Sequence, residues 1–398
     1  MSRVFNRMAA CAATGILSVV CLASVSEAAP YTWTGGTSGA WGTAGNWVSG
    51  TSNLLPTSGT HSVFYTGSNR LSGTVNGGYT LDRLQFNSTA TGSYVITASS
   101  SVTPAIAMRG DIINQSGLLQ TIGGETGASR LKIDYGSGTA TRLIDVGSGT
   151  IAFNAVIQSS PNTTLVKQGS GSLDLTAGGS VQAFTGTLSL AAGKTNLIAA
   201  FGSAVVETVS GAVVNLNPSN ATNYSIGSLS NSGTAVVVND VLVNSPSVLN
   251  SDGTVAFRTL ANDSVSLMTF TKPVTLGGSL FVDVTKTYPD ATIAAPQLFK
   301  LFDYSEGANG SFATVTANYD GTTLSFSQGV DPDNPELWVS GTAADGRYMT
   351  FNQLSGDLVV VPEPSTIAFA GAGCVLVGWQ AFKQRRLRQR ERWASLEV

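Results

Sequence analysis

His61 is the only imidazole in the chain, so a Ser-His-Asp triad would have to centre on it, and a multi-histidine metal site cannot form within one molecule. It stands in Ser58-Gly59-Thr60-His61-Ser62-Val63, a Gly/Ser/Thr-rich lead into a strand, and reads as a surface histidine. The three cysteines, Cys11, Cys21 and Cys374, fall in the two apolar terminal segments, which leaves the body without a thiol nucleophile or a disulfide. Paired carboxylates remain as a catalytic route, because glycoside hydrolysis runs on two placed Asp or Glu groups. The densest acidic cluster is Asp331-Pro332-Asp333-Asn334-Pro335-Glu336. Its two prolines and lack of glycine describe a rigid exposed turn rather than a calcium loop. Trp33, Trp41 and Trp47 could stack on sugar rings, but packing as a cap is the expectation. Gly35-Gly36 and Gly123-Gly124 lack the strand-to-helix setting of a phosphate loop. No catalytic, cofactor-binding or metal site is assigned.

The ends carry more information. Val361-Pro362-Glu363-Pro364-Ser365 is followed by the apolar stretch Thr366 to Phe382 and then by a basic tail of Lys383, Arg385, Arg386, Arg388, Arg390 and Arg392. A helix-breaking Pro-x-Pro, a hydrophobic segment and a cytoplasm-retaining basic cluster are the parts of a terminal sorting signal. The uninterrupted apolar run, Ile367 to Trp379, is 13 residues. A spanning helix needs roughly 20, so transient membrane insertion is expected rather than a permanent anchor. At the other end Arg3 and Arg7 precede the apolar Met8 to Val25 and the small-x-small site Ser26-Glu27-Ala28, the pattern of a signal peptide cut after Ala28. Between these ends, Pro30 to Val361 holds 13 basic and 20 acidic residues, a net of −7, with the cations scattered singly. Such a surface argues against nucleic acid as a partner.

The elements that must display any site are strands. With 45 glycines, 11% charged residues and abundant Ser, Thr, Asn and Val, the body suits short strands joined by tight turns. A Gly-small-apolar motif recurs at Gly149, Gly171, Gly186, Gly211, Gly233, Gly253 and Gly278, at intervals of 22, 15, 25, 22, 20 and 25 residues. Repeats of that length match one coil of a β-solenoid. In Ser172-Leu173-Asp174-Leu175 and Thr187-Leu188-Ser189-Leu190 the alternation sends leucines to one face. The fold class is therefore all-β, a parallel β-helix or β-solenoid body with terminal caps and a short C-terminal hydrophobic helix, with a β-sandwich as the alternative. The expected organisation is a signal peptide over 1–28, a Trp-rich cap and first strands over 29–110, solenoid repeats over 111–285, a C-terminal β region over 286–360 and the sorting signal over 361–398.

Val361-Pro362-Glu363-Pro364-Ser365, with its apolar run and arginine cluster, resembles the PEP-CTERM sorting domain of Gram-negative bacteria. That resemblance implies an exosortase-like processing enzyme as partner and delivery to the cell surface, outer membrane or extracellular matrix. Thr164 to Leu175, followed by Phe184 to Leu190, is similar to the autotransporter-associated β-strand repeat, departing from it over Thr176 to Ala183. This second likeness implies a β-helix locally. Together they imply an exported structural or adhesive protein, the alternative being one that binds or degrades extracellular polysaccharide.

Overall fold

The computed structural model describes residues 29–49, 59–99, 105–124, 130–176, 183–219, 221–258, 265–284, 296–329 and 333–361. Almost all regular structure among them is β, in one sheet of 18 strands and one of 16, with a single short 3-10 turn at Ala44–Asn46. The chain is a parallel β-solenoid. Its successive coils lie on one another in the same direction, an arrangement that a hairpin-built sandwich does not produce.

One coil shows the plan. Val156–Gln158 stacks on Lys132–Asp134, Thr163–Gln168 on Ala140–Val146, and Ser172–Leu175 on Thr150–Phe153, all parallel. The first two strands of a coil belong to one long sheet, which bends at a corner, and the third belongs to the other sheet. In earlier coils the bend is absorbed within one strand: the front half of Ala105–Asn114 pairs with Lys132–Asp134 and its rear half with Ala140–Val146.

Alternation then builds the core. Phe153, Leu175, Leu197, Leu216, Val237, Phe257, Val282 and Ala317 are registered partners on consecutive coils and all are buried. Each aliphatic or aromatic member contributes about 1.5–3 kcal/mol of burial, so stability accumulates coil by coil. This column does the work that disulfides do in many small domains.

The glycine period needs one correction. Thr187–Leu190, after Gly186, lies in the first sheet between Thr163–Gln168 and Phe201–Thr208, whereas the third strand of that coil is Lys194–Leu197, after Gly193. Third strands begin at 150, 172, 194, 213, 234, 254 and 279, so the steps are 22, 22, 19, 21, 20 and 25. The 15-residue interval compared two different sides of the coil. Both sides carry the same half-buried alternation, so strand pattern alone does not separate them. Glycine is needed at this turn because coils approach closely: a Cβ on Gly278 would sit 2.2 Å from the Gly253 carbonyl oxygen.

Both ends are closed. Ala29–Trp33 pairs with Thr60–Gly67 on one edge and antiparallel with Trp47–Val48. Trp33 and Trp41 meet Trp47 edge to face, with centroids 4.9 and 5.3 Å apart. At the far end Thr314–Tyr319 is the last parallel strand, and the chain turns into the antiparallel series Thr322–Gln328, Leu337–Ser340, Tyr348–Asn352, Asp357–Val361 and Gln297–Lys300. Phe302, Phe312 and Phe351 pack under it. At the far end the antiparallel series covers the last parallel edge, one on which a solenoid would otherwise stack.

Candidate functional site

Of the sorting motif, Val361 ends the strand Asp357–Val361, opposite Tyr348. Pro362, Glu363, Pro364 and Ser365, the basic residues Lys383, Arg385, Arg386, Arg388, Arg390 and Arg392, and the amino-terminal segment 1–28 lie outside the described residues. Asp331 and Pro332 do as well, while the Glu336 carboxylate accepts a hydrogen bond from the Gln353 side-chain amide. Gln353 also accepts from the Trp338 indole at 3.3 Å, so Glu336 is tied into the closing sheet.

His61 is not at the surface. It is 8% exposed and packs edge to face on Tyr31, with centroids 5.0 Å apart, because its strand position turns inward on the first coils. The three tryptophans are sealed: the Trp41 indole donates to Tyr65 Oη (3.1 Å), Trp47 to the Trp41 carbonyl (2.7 Å) and Trp33 to the Arg70 carbonyl (3.0 Å). Buried rings with spent donors cannot stack on a sugar.

The outer column of the second sheet reads Thr150, Ser172, Lys194, Val213, Thr234, Thr254, Ser279, Thr314. Lys194 and Val213 interrupt it, so it is not a uniform hydroxyl array. Beside it runs a short amide ladder, in which Asn215 donates to Asn196 (2.6 Å) and Asn196 to Asp174 (2.5 Å). Such outward ladders lock coil to coil from the solvent side.

Two of the polar features of the interior bear on function. Lys167 is fully buried, at a position flanked in register by Ile144 and Leu190. Its ammonium donates to the carbonyls of Gly169 (2.7 Å), Gly171 (2.6 Å) and Ala192 (2.8 Å) at the turn between the sheets. Burial pushes its pKa down to about 8, against the pull of Asp145. On other coils the carbonyl equivalent to that of Gly171 accepts a strand amide, as Gly149 does from Ser172 and Gly233 from Thr254. Asn114 and Asn231 bridge the same turn elsewhere, donating to the carbonyls of Thr150 (3.0 Å) and Thr254 (2.9 Å). The lysine is thus a structural tie between coils.

The second feature opens outward. At the bend of the first sheet, the loop from Tyr135 to Thr139 bulges away and leaves a cleft of about 220 Å³, walled by Arg109, Tyr135, Gly136, Ser137, Gly138, Thr139, Ala140 and Arg142. Arg142 occupies a core-facing position: its registered partner is Leu165, followed by Leu188, Val206 and Leu229. Arg142 Nε and Tyr135 Oη are both buried without a hydrogen-bond partner among the described residues. Burial holds the Tyr135 phenol protonated well past its ordinary range, an effect that Asp111 reinforces and Arg142 opposes. The loop is braced, since the Gly138 amide donates to Ser160 Oγ (3.1 Å) and Ser160 Oγ to the Gly138 carbonyl (2.8 Å). Asp134 accepts from the Gly136 amide (2.8 Å) and Asp111 from the Leu143 amide (3.2 Å). Sequence reasoning passed over this cleft. The available signal was parity, since Arg142 alternates in phase with Ile144 and Val146, as Lys167 does with Leu165.

Among the described residues no group of three or more His, Cys, Asp or Glu is placed to hold a metal ion, and no helix is long and apolar enough to cross a membrane. The fold and the cleft define the class: an end-capped parallel β-solenoid with a polar opening at its bend. No family model, curated protein or solved structure matches the chain.

Proposed function

We propose that this is an exported structural or adhesive solenoid of the cell surface or extracellular matrix, sorted through its C-terminal signal by an exosortase-like enzyme. What carries the reading is the order of motif, apolar run and basic cluster directly after the antiparallel end strand Asp357–Val361. A stalk capped at both ends and held by stacked apolar columns needs no disulfide or cofactor, which suits a protein that works by presence and shape outside the cell. The amino-terminal segment acts as the export signal. The 13-residue apolar run dips into the inner membrane while the arginines stay behind, and cleavage near Pro362 to Ser365 frees the body. The net negative body makes nucleic acid a poor partner, and extracellular polysaccharide the partner to test.

Cell fractionation with intact-mass analysis of the native C-terminus tests this. A surface or matrix form ending between Pro362 and Ser365 supports it. Recovery of chains still carrying Arg392 in the inner membrane would replace it with a plain tail anchor.

A further inference from the structure

The geometry points to the cleft between Arg109, Tyr135 and Arg142 as a binding site for a sugar carboxylate, one uronate residue of an acidic glycan. An arginine in a column otherwise filled by Leu165, Leu188, Val206 and Leu229 is costly to leave with an unpartnered buried nitrogen, and Tyr135 beside it leaves a second polar atom unmet. Both residues line the same opening, and a small shift of each side chain brings its covered, unmet atom to one shared ligand. Arg109 supplies a second guanidinium from the adjoining coil. It lies so close to the loop that a Cβ on Gly136, where φ is +83°, would come within 2.3 Å of Arg109 Nη1. Two guanidiniums and a protonated phenol offer a planar carboxylate paired and single donors together.

Size and charge narrow the class. A volume of about 220 Å³ falls below the roughly 300 Å³ at which drug-sized pockets begin, so one sugar-sized group fits. Asp111 and Asp134 stand in the same corner, which disfavours a dianion such as phosphate and leaves a monoanion. The exposed rim residues Ser137, Gly138 and Thr139 leave the ends of a chain free to continue into solvent. The choice of a glycan rests on the extracellular reading proposed above, while the site itself lies in the body and does not depend on how the tail is processed.

Calorimetric titration of the intact chain with oligogalacturonate, a neutral galactose oligomer, acetate and inorganic phosphate tests it. Expected are binding of oligogalacturonate, weaker binding of acetate, no measurable binding of the neutral oligomer, and a loss of tenfold or more in Arg109→Ala and in Tyr135→Phe. Arg142→Leu restores the aliphatic column, so it should fold at least as well as the parent and lose binding to the same degree. Should Arg142→Leu fail to fold, the exposed Arg109 and the ring-preserving Tyr135→Phe still decide. The inference is overturned if the neutral oligomer or phosphate binds as tightly as oligogalacturonate, if no carboxylate binds, or if Arg109→Ala and Tyr135→Phe bind like the parent.

Discussion

Replacing Lys167 with methionine probes the solenoid where its chemistry is least forgiving. The side chain keeps its length, but the carbonyls of Gly169, Gly171 and Ala192 lose their donor. Each buried acceptor left unmet costs about 1–3 kcal/mol, partly offset because a buried ammonium is itself penalised, so a net loss of about 3 kcal/mol at neutral pH is expected. The pH dependence is sharper. The folded chain holds this proton with a pKa of about 8 against 10.5 for the free side chain. Between those values the unfolded state carries more protons than the folded one, so stability rises with pH; below 8 both are charged and the term is flat. From pH 7 to 9.5 the gap between the parent and Lys167→Met should widen by about 2 kcal/mol. Denaturant titrations of both proteins at several pH values measure it, and subtracting one from the other cancels every other titrating group. A gap that narrows with pH would mean that the three carbonyls hold the proton more strongly than burial expels it, which would refute the reasoning.

Above pH 10 both proteins lose stability as pH rises. Tyr65, Tyr135, Tyr224 and Tyr304 are buried with pKa values raised by desolvation. The unfolded chain therefore loses these phenol protons first, stability falls as pH rises through 10, and phenolate absorbance from these four should appear only as the fold is lost. Trp41→Ala empties the first-coil cap and should cost about 3–5 kcal/mol, seen in thermal unfolding and in faster amide exchange of Thr60–Gly67. Gly278→Ala forces a methyl against the Gly253 carbonyl and a left-handed backbone at once, and should cost over about 2 kcal/mol. Exchange should quicken first in Thr254–Arg258 and Ser279–Val284, and unchanged protection there would count against close coil stacking.

Much of the architecture was legible because it repeats. Leu173 with Leu175, or Leu280 with Val282, show their inward face by parity alone, and parity is local. Gly186 misled for the same reason: two sides of a coil share one pattern, and only pairing shows that Thr187–Leu190 stacks on Thr164–Lys167. His61 misled because its hydroxyl-rich neighbours resemble a loop, whereas Tyr31 of the preceding coil covers it. Sequence order gave no hint that the Tyr135–Thr139 loop is a wall rather than a spacer.

By itself the sequence determined the strand class, the approximate coil length and the terminal motif, since each depends on neighbours a few residues apart. Only the tertiary structure decided which side of a coil each glycine turn serves, that the tryptophans are sealed, and that Arg109 and Arg142 from adjoining coils line one cleft. Those facts depend on stacking between residues some 20 or 30 positions apart, and the register between coils is set by the summed packing of the column rather than by any one segment.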